Sequence, residues 1–141
     1  MKSINHSRQS LAAYRAVDAE TRVPVANAHQ LVAMLFDELK RNIGLAREAL
    51  SCGDIAAKGR AIGKSVRVLE EGLKASLDIR NGGPLAAQLR LLYDGVILRL
   101  TQANLRNDER LLDEADRLIE PVRDAWRQIG MPAGATAPGQ V

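Results

Sequence analysis

Leu85-Ala-Ala-Gln-Leu-Arg-Leu-Leu-Tyr-Asp-Gly-Val-Ile-Leu-Arg-Leu-Thr-Gln-Ala-Asn104 places large apolar side chains at Leu85, Leu89, Leu92, Val96 and Leu100, and Ala103 closes the series. Steps of three and four residues hold such a series on one face of an α-helix, whereas a half-buried strand would alternate. The same stretch carries a second apolar ridge, Leu91, Leu98 and, just beyond it, Leu105, offset by one residue from the first. Upstream, Asn81-Gly82-Gly83 breaks the helical pattern. Pro84 then stands where a first helical residue loses nothing by lacking an N–H.

The periodicity recurs on both sides of this stretch. Downstream, Leu112, Ala115, Ile119, Val122, Trp126 and Ile129 form one seam after a cap at Asn107 or Asp108, and Leu111, Leu118 and Ala125 form a second ridge. Pro121 falls inside that pattern, where a lost hydrogen bond and a clash at ~3 kcal/mol or more predict a kink or a restart. Upstream, Ile55, Gly59, Ile62, Val66, Leu69, Leu73 and Leu77 mark a second helix capped by Asp54. Its Gly59 and Gly63 read as a site of close backbone approach. Before it, Leu31, Met34, Leu35, Leu39, Ile43, Ala46 and Leu50 mark a first helix, capped at Asn27 and stopped at Gly53.

Four helices of roughly 20–25 residues, each ~30–37 Å long, joined by short turns, predict an all-α fold: an antiparallel up-down four-helix bundle. The bundle is expected over residues 27–130. A short N-terminal arm, residues 1–26, precedes it with a small apolar side at Leu11, Ala12, Tyr14 and Val17. Residues 131–141 have no periodicity and read as a disordered tail.

Composition agrees with one helical domain. The chain has 141 residues, 46% apolar but only 3% aromatic, and Leu (19) and Ala (21) dominate it. The core is therefore aliphatic, and a strand-rich fold is disfavoured. The net charge is +3 and the sequence pI about 9.4. The signs are interspersed, as in Asp108-Glu109-Arg110, and no basic run carries interleaved aromatics. That pattern is a solvated helical surface and implies no nucleic-acid partner. Cys52 is the only cysteine, which fits a reducing cytoplasm. No apolar run resembles a signal peptide or a membrane span, so no membrane insertion is expected.

Catalytic chemistry is absent from the pattern. His6 and His29 are far apart, and no Glu-x-x-His pair of a di-iron bundle occurs. His29, in the first turn of helix one, reads as a surface residue. Cys52 follows a helix C-terminus, where the macrodipole disfavours a thiolate. Asn81-Gly82-Gly83-Pro84 lacks the Lys-Ser/Thr of a phosphate loop. No catalytic residue, cofactor or metal is expected. The surplus ridges have two readings: outer bundle positions that flank two neighbours, or a groove for a partner's apolar helix.

Several short motifs, in order, resemble the flagellin export chaperones called FliS. They are Tyr14 in the arm, Gln30-Leu31, Leu35-Phe36-Asp37, and Ser76-Leu77-Asp78 before Gly82-Gly83. Leu89-x-x-Leu92-Tyr93-Asp94, Leu100-x-x-Ala103-Asn104, Asn107-Asp108 and Ala125-Trp126 follow, so the resemblance covers roughly residues 14–129. The chain departs from the family pattern at Asn27-Ala28-His29, at Glu38 and at Pro121.

The resemblance implies a cytoplasmic chaperone that binds the C-terminal segment of flagellin, prevents premature polymerisation and hands it to the flagellar export apparatus. It also implies that the N-terminal arm can cover part of the partner's surface, with Leu11 and Tyr14 as a removable cap. Tyr14 is then either that cap or a permanent core contact. The partner-binding candidates are Leu11, Tyr14, Leu91, Leu98, Leu105, Leu111, Leu118 and Asn104. Asn104 binds backbone either within the bundle or on the partner. The alternative is a generic helical interaction bundle that binds another amphipathic helix.

Overall fold

The computed structural model describes residues 25–130, and every regular element among them is helical. Helix α1 spans Val25–Ser51, and α2 spans Ile55–Arg67 and runs on through a π-helical stretch, Val68–Leu73. Helix α3 spans Ile79–Arg106 and α4 spans Glu109–Ile129. The expected arm and tail, with Leu11 and Tyr14, lie outside the described residues.

Local chemistry sets the helix ends. Gly53 turns the chain out of α1 at φ 74°. Asp54, Asp78 and Asp108 then cap α2, α3 and α4, accepting from the N–H of Ala57 (3.0 Å), Asn81 (3.1 Å) and Arg110 (3.0 Å). Each carboxylate satisfies an orphan donor and sits at the positive end of the helix dipole. Within α3 the backbone leaves helical dihedrals at Gly83 (φ 55°), immediately before Pro84. The break expected at Asn81-Gly82-Gly83 is therefore present, preceded by an Asp78-capped turn.

Several expectations need correction. Helix α1 already runs at Val25, so Asn27 lies inside it and is not its cap. Regular α-helix in α2 stops at Arg67, and the chain takes a π turn instead of continuing to Leu77. Gly59 and Gly63 mediate no close approach. A Cβ at Gly63 would meet nothing within 4 Å, and one at Gly59 only the Asn104 side-chain oxygen at 3.9 Å. Helix α4 passes unbroken through Pro121. The donor that proline lacks would have served Arg117, and both residues face solvent, where water can take its place.

The core is the aliphatic seam of all four helices, with Phe36, Leu39 and Ile43 from α1 meeting Leu69, Val96, Leu100, Leu112 and Ile119. Phe36 and Tyr93 pack with tilted rings, centroids 6.5 Å apart. Burial pushes the Tyr93 phenol up to about 12, so it stays neutral. Met34, Ile55, Leu85 and Ile129, members of the sequence seams, are instead largely exposed at helix ends or edges.

Polar pairs fix the direction of the helices. From α1 to α4 they run His29 to Trp126, Asp37 to Arg123, Lys40 to Asp116 and Glu120, and Arg47 to Asp113. Numbers rise on α1 while they fall on α4, so the two are antiparallel. Lys58 to Asn104 and Lys74 to Asp94 give the same result for α2 and α3. Each helix packs on its neighbour in sequence, and α4 returns to α1.

His29 is no simple surface residue. Its ring stacks on Trp126 with centroids 4.4 Å apart and 2° between planes. The Trp126 indole N–H donates to the His29 carbonyl at 3.0 Å, and His29 Nε2 lies 2.7 Å from the Trp126 carbonyl as donor. A Cβ at Gly130 would overlap this pinned ring. Replacing Gly130 with Ala should therefore cost about 1–3 kcal/mol, read by urea unfolding followed on the fluorescence of Trp126, the chain's one tryptophan. By contrast, Gly63→Ala should stabilise by about 0.5–1 kcal/mol, since helix propensity rises and no atom obstructs. A midpoint unchanged in either variant contradicts these packing assignments.

The α1–α4 pairs also set a pH window. A hydrogen bond from Lys40, with the charges of Lys40 and Arg123, holds Glu120 below the usual carboxylate range against its partial burial. Burial pulls Lys40 down, but its bonds and charges with Asp116 and Glu120 outweigh that, and its net shift is upward. A depressed acid contributes stability above its unfolded value, and loses it as pH falls through the folded one. A raised base contributes below its unfolded value, and loses it as pH rises through the folded one. Stability should thus be flat near neutrality and decline below about pH 4 and above about pH 10.4. Glu120→Gln should flatten the acid limb in a pH series of thermal unfolding.

Candidate partner-binding surface

The third-helix ridge faces away from the core. At about 100° per residue, Leu91, Leu98 and Leu105 lie within one narrow stripe, roughly opposite buried Val96 and Leu100. They are 71%, 55% and 80% exposed. The ridge is therefore no broadening of the core face, as the one-residue offset suggested. It is a separate apolar line on the solvent side of α3.

The fourth-helix ridge behaves differently. Leu111 and Leu118 are half-buried and pack against the core. They project from the side of α4 opposite Asp113, Asp116 and Arg123, which face α1, and so line the α3 side. Ala125, the last of that ridge, is exposed. The structure thus keeps Leu91, Leu98 and Leu105 together and sets Leu111 and Leu118 apart, at the foot of the α3–α4 furrow.

Asn104 sits at the other edge of α3, beside α2. Its backbone carbonyl accepts from Lys58 Nζ at 2.9 Å, and the same ammonium donates to the Asn107 side-chain oxygen. Lys58 is only 2% exposed. It joins the N-terminal part of α2 to the last turn of α3, where free carbonyls carry the negative end of the dipole. Asn107, at φ 52°, turns the chain toward α4 there. The side-chain amide of Asn104 remains on the surface next to Leu105.

Charge is less evenly spread than the whole-chain balance implies. Over Ile55–Arg67, α2 carries Lys58, Arg60, Lys64 and Arg67 and no acid. Of these, Arg60, Lys64 and Arg67 are exposed and make no ion pair within the described residues. Whole-chain arithmetic hid this stripe; counting charge helix by helix finds it. A shallow open cleft of about 380 Å³ lies between α1 and α2, but its lining mixes Glu48 and Asp54 with Arg60 and Lys64 and converges on no one chemistry. Among the described residues, no group of His, Cys, Asp or Glu side chains is disposed to hold a metal ion. No helix there is long and apolar enough to cross a membrane.

The family model for the flagellar protein FliS matches residues 10–133. The chain is 41% identical over 128 residues to the flagellar secretion chaperone FliS of Salmonella typhimurium, covering 91% of this chain and 95% of that protein. It is 36% identical over 124 residues to the flagellar secretion chaperone FliSB of Pseudomonas aeruginosa, covering 88% and 98%. Identity to the Bacillus subtilis flagellar secretion chaperone FliS is 28% over 109 residues, covering 77% and 80%. A helical bundle whose sequence matches that family over most of its length, from first helix to last, belongs to the FliS family of flagellar secretion chaperones.

Proposed function

We propose that this chain is a cytoplasmic, non-enzymatic chaperone that binds the C-terminal segment of flagellin, keeps it from polymerising early and delivers it to the flagellar export apparatus. The observation that carries the reading is the unpartnered line of Leu91, Leu98 and Leu105 on a rigid helix. Seven-residue spacing repeats every two turns, which suits an amphipathic helix laid along α3. Leu111, Leu118 and Asn104 widen the surface on its two sides. Leu11 and Tyr14 of the arm serve as its cap in the free chaperone.

Energetics constrain how much surface the partner must cover. Ordering a disordered segment costs about 2–5 kcal/mol. Burying the exposed parts of three leucines returns on the order of 3–6 kcal/mol. The ridge alone only offsets folding of the partner, so useful affinity requires the α3–α4 furrow as well. Binding on this scheme needs no nucleotide, and release follows when a competing site takes the segment.

A peptide of the cognate flagellin C-terminus, titrated into the chain, should bind stoichiometrically and gain helicity by circular dichroism. Leu98→Asp should weaken that binding by at least about tenfold, because a carboxylate replaces apolar contact. The bundle's own helicity should not change, since the side chain contributes nothing to the core. Absence of binding well above micromolar concentration sinks the flagellin reading. Equal affinity for unrelated amphipathic helices would instead favour a generic interaction bundle.

A further inference from the structure

Lys58 is a cation buried without a carboxylate. It is 2% exposed and makes no ion pair among the described residues. Its ammonium donates instead to two neutral oxygens, the Asn104 carbonyl at 2.9 Å and the Asn107 side chain. Packing alone gives no reason for a charge here, since an apolar side chain of similar volume would fill the space with less desolvation. The reason lies in what the ammonium holds.

Backbone bonding in α3 runs out at that point. The N–H groups of Asn107 and Asp108 both bond to the Ala103 carbonyl, so the Asn104 carbonyl has no main-chain donor. A last turn in that condition frays, and its side chains then present no fixed surface. Lys58 supplies the missing donor and ties down Asn107, whose φ of 52° turns the chain toward α4. The turn so held carries Leu105, the end of the leucine ridge, and the Asn104 amide, which is exposed and makes no hydrogen bond among the described residues. Gly59, next to Lys58, leaves the space that this amide lies over: a Cβ there would come 3.9 Å from its oxygen.

We infer that Lys58 is a positioning residue for partner binding: it fixes the last turn of α3, and with it the Asn104 amide and Leu105, without touching the partner itself. The role rests on the chaperone reading of the ridge and adds to it a residue that lies outside the surface. The other tie between the two helices has no such part. Lys74 meets Asp94 at 2.7 Å, but it shares that bond with Glu70 at 3.2 Å and is partly exposed. Asp94 stands in the middle of α3, where the backbone bonds to itself and needs no outside donor.

The test uses the full chain and the flagellin C-terminal peptide, with a designed amphipathic helix as a second probe. Lys58→Met keeps the length and apolar stem of the side chain and removes both hydrogen bonds. It should weaken peptide binding about tenfold by fluorescence anisotropy, while circular dichroism still shows a folded bundle. In a background of Asn104→Ala with Leu105→Ala, the same change should alter affinity by less than about twofold, because what Lys58 positions is gone. Lys74→Met should leave affinity within about twofold of the parent. Should Lys58→Met unfold, Asn107→Gly takes its place: glycine accepts the positive φ, deletes one of the two acceptors and should weaken binding about threefold. Parent-like affinity in the folded variant overturns the inference. An equal loss in Lys74→Met, or a loss undiminished without Asn104 and Leu105, does so too, because it marks a general loosening of the bundle. A parent chain that binds only the designed helix removes the flagellin reading, and the variants are then read on that helix. One that binds neither peptide removes both.

Discussion

Closure of α4 onto α1 is the contact on which the bundle depends. The other extensive packings join helices adjacent in sequence, where a short turn already holds them close. This one brings together residues up to 97 positions apart, His29 and Trp126, and bears the entropy of closing the chain. Apolar burial drives it, through Leu39 and Ile43 against Leu112, Ala115 and Ile119. Partly exposed ion pairs such as Lys40 with Asp116 contribute little net energy. Their contribution is register: with four rungs between His29–Trp126 and Arg47–Asp113, a slip by one turn would leave carboxylates facing no cation.

The candidate surface follows from that closed core. Because α3 satisfies its apolar face inward through Val96 and Leu100, the outward leucines are surplus to folding. A monomeric bundle gains nothing from Leu105 in water, and contiguous exposed apolar surface invites association. On the proposed function that cost has a use, since a holding surface must exist before its client arrives.

Much of this was legible in the residues. Three- and four-residue steps give all four helices, Asp54 and Gly53 place a turn, and Pro84 marks the break in α3. What escaped had physical causes. Periodicity reports that a face is apolar but not how far it stands from the core, so the ridge on α3 read as an edge of the seam. Propensity penalises Pro121, yet an exposed carbonyl with water at hand makes the missing bond cheap. His29 looked solvent-bound because its partner, Trp126, lies in the last helix and no local pattern links them. Glycine removes a side chain, but only packing decides whether a neighbour fills the space, and at Gly63 none does.

The π-helical stretch at Val68–Leu73 has a bearing on how such a chain can vary in length. A π turn stores one residue more than the α-helical turn it replaces. Here it lies between two inward-facing groups, Ile62 and Ser65 before it and Leu73 near its end, each seated correctly in the core. Loss of one residue from this stretch would let it relax to ordinary α-helix while both flanking groups stay in place. The bundle therefore contains a built-in reserve for single-residue deletion in its second helix.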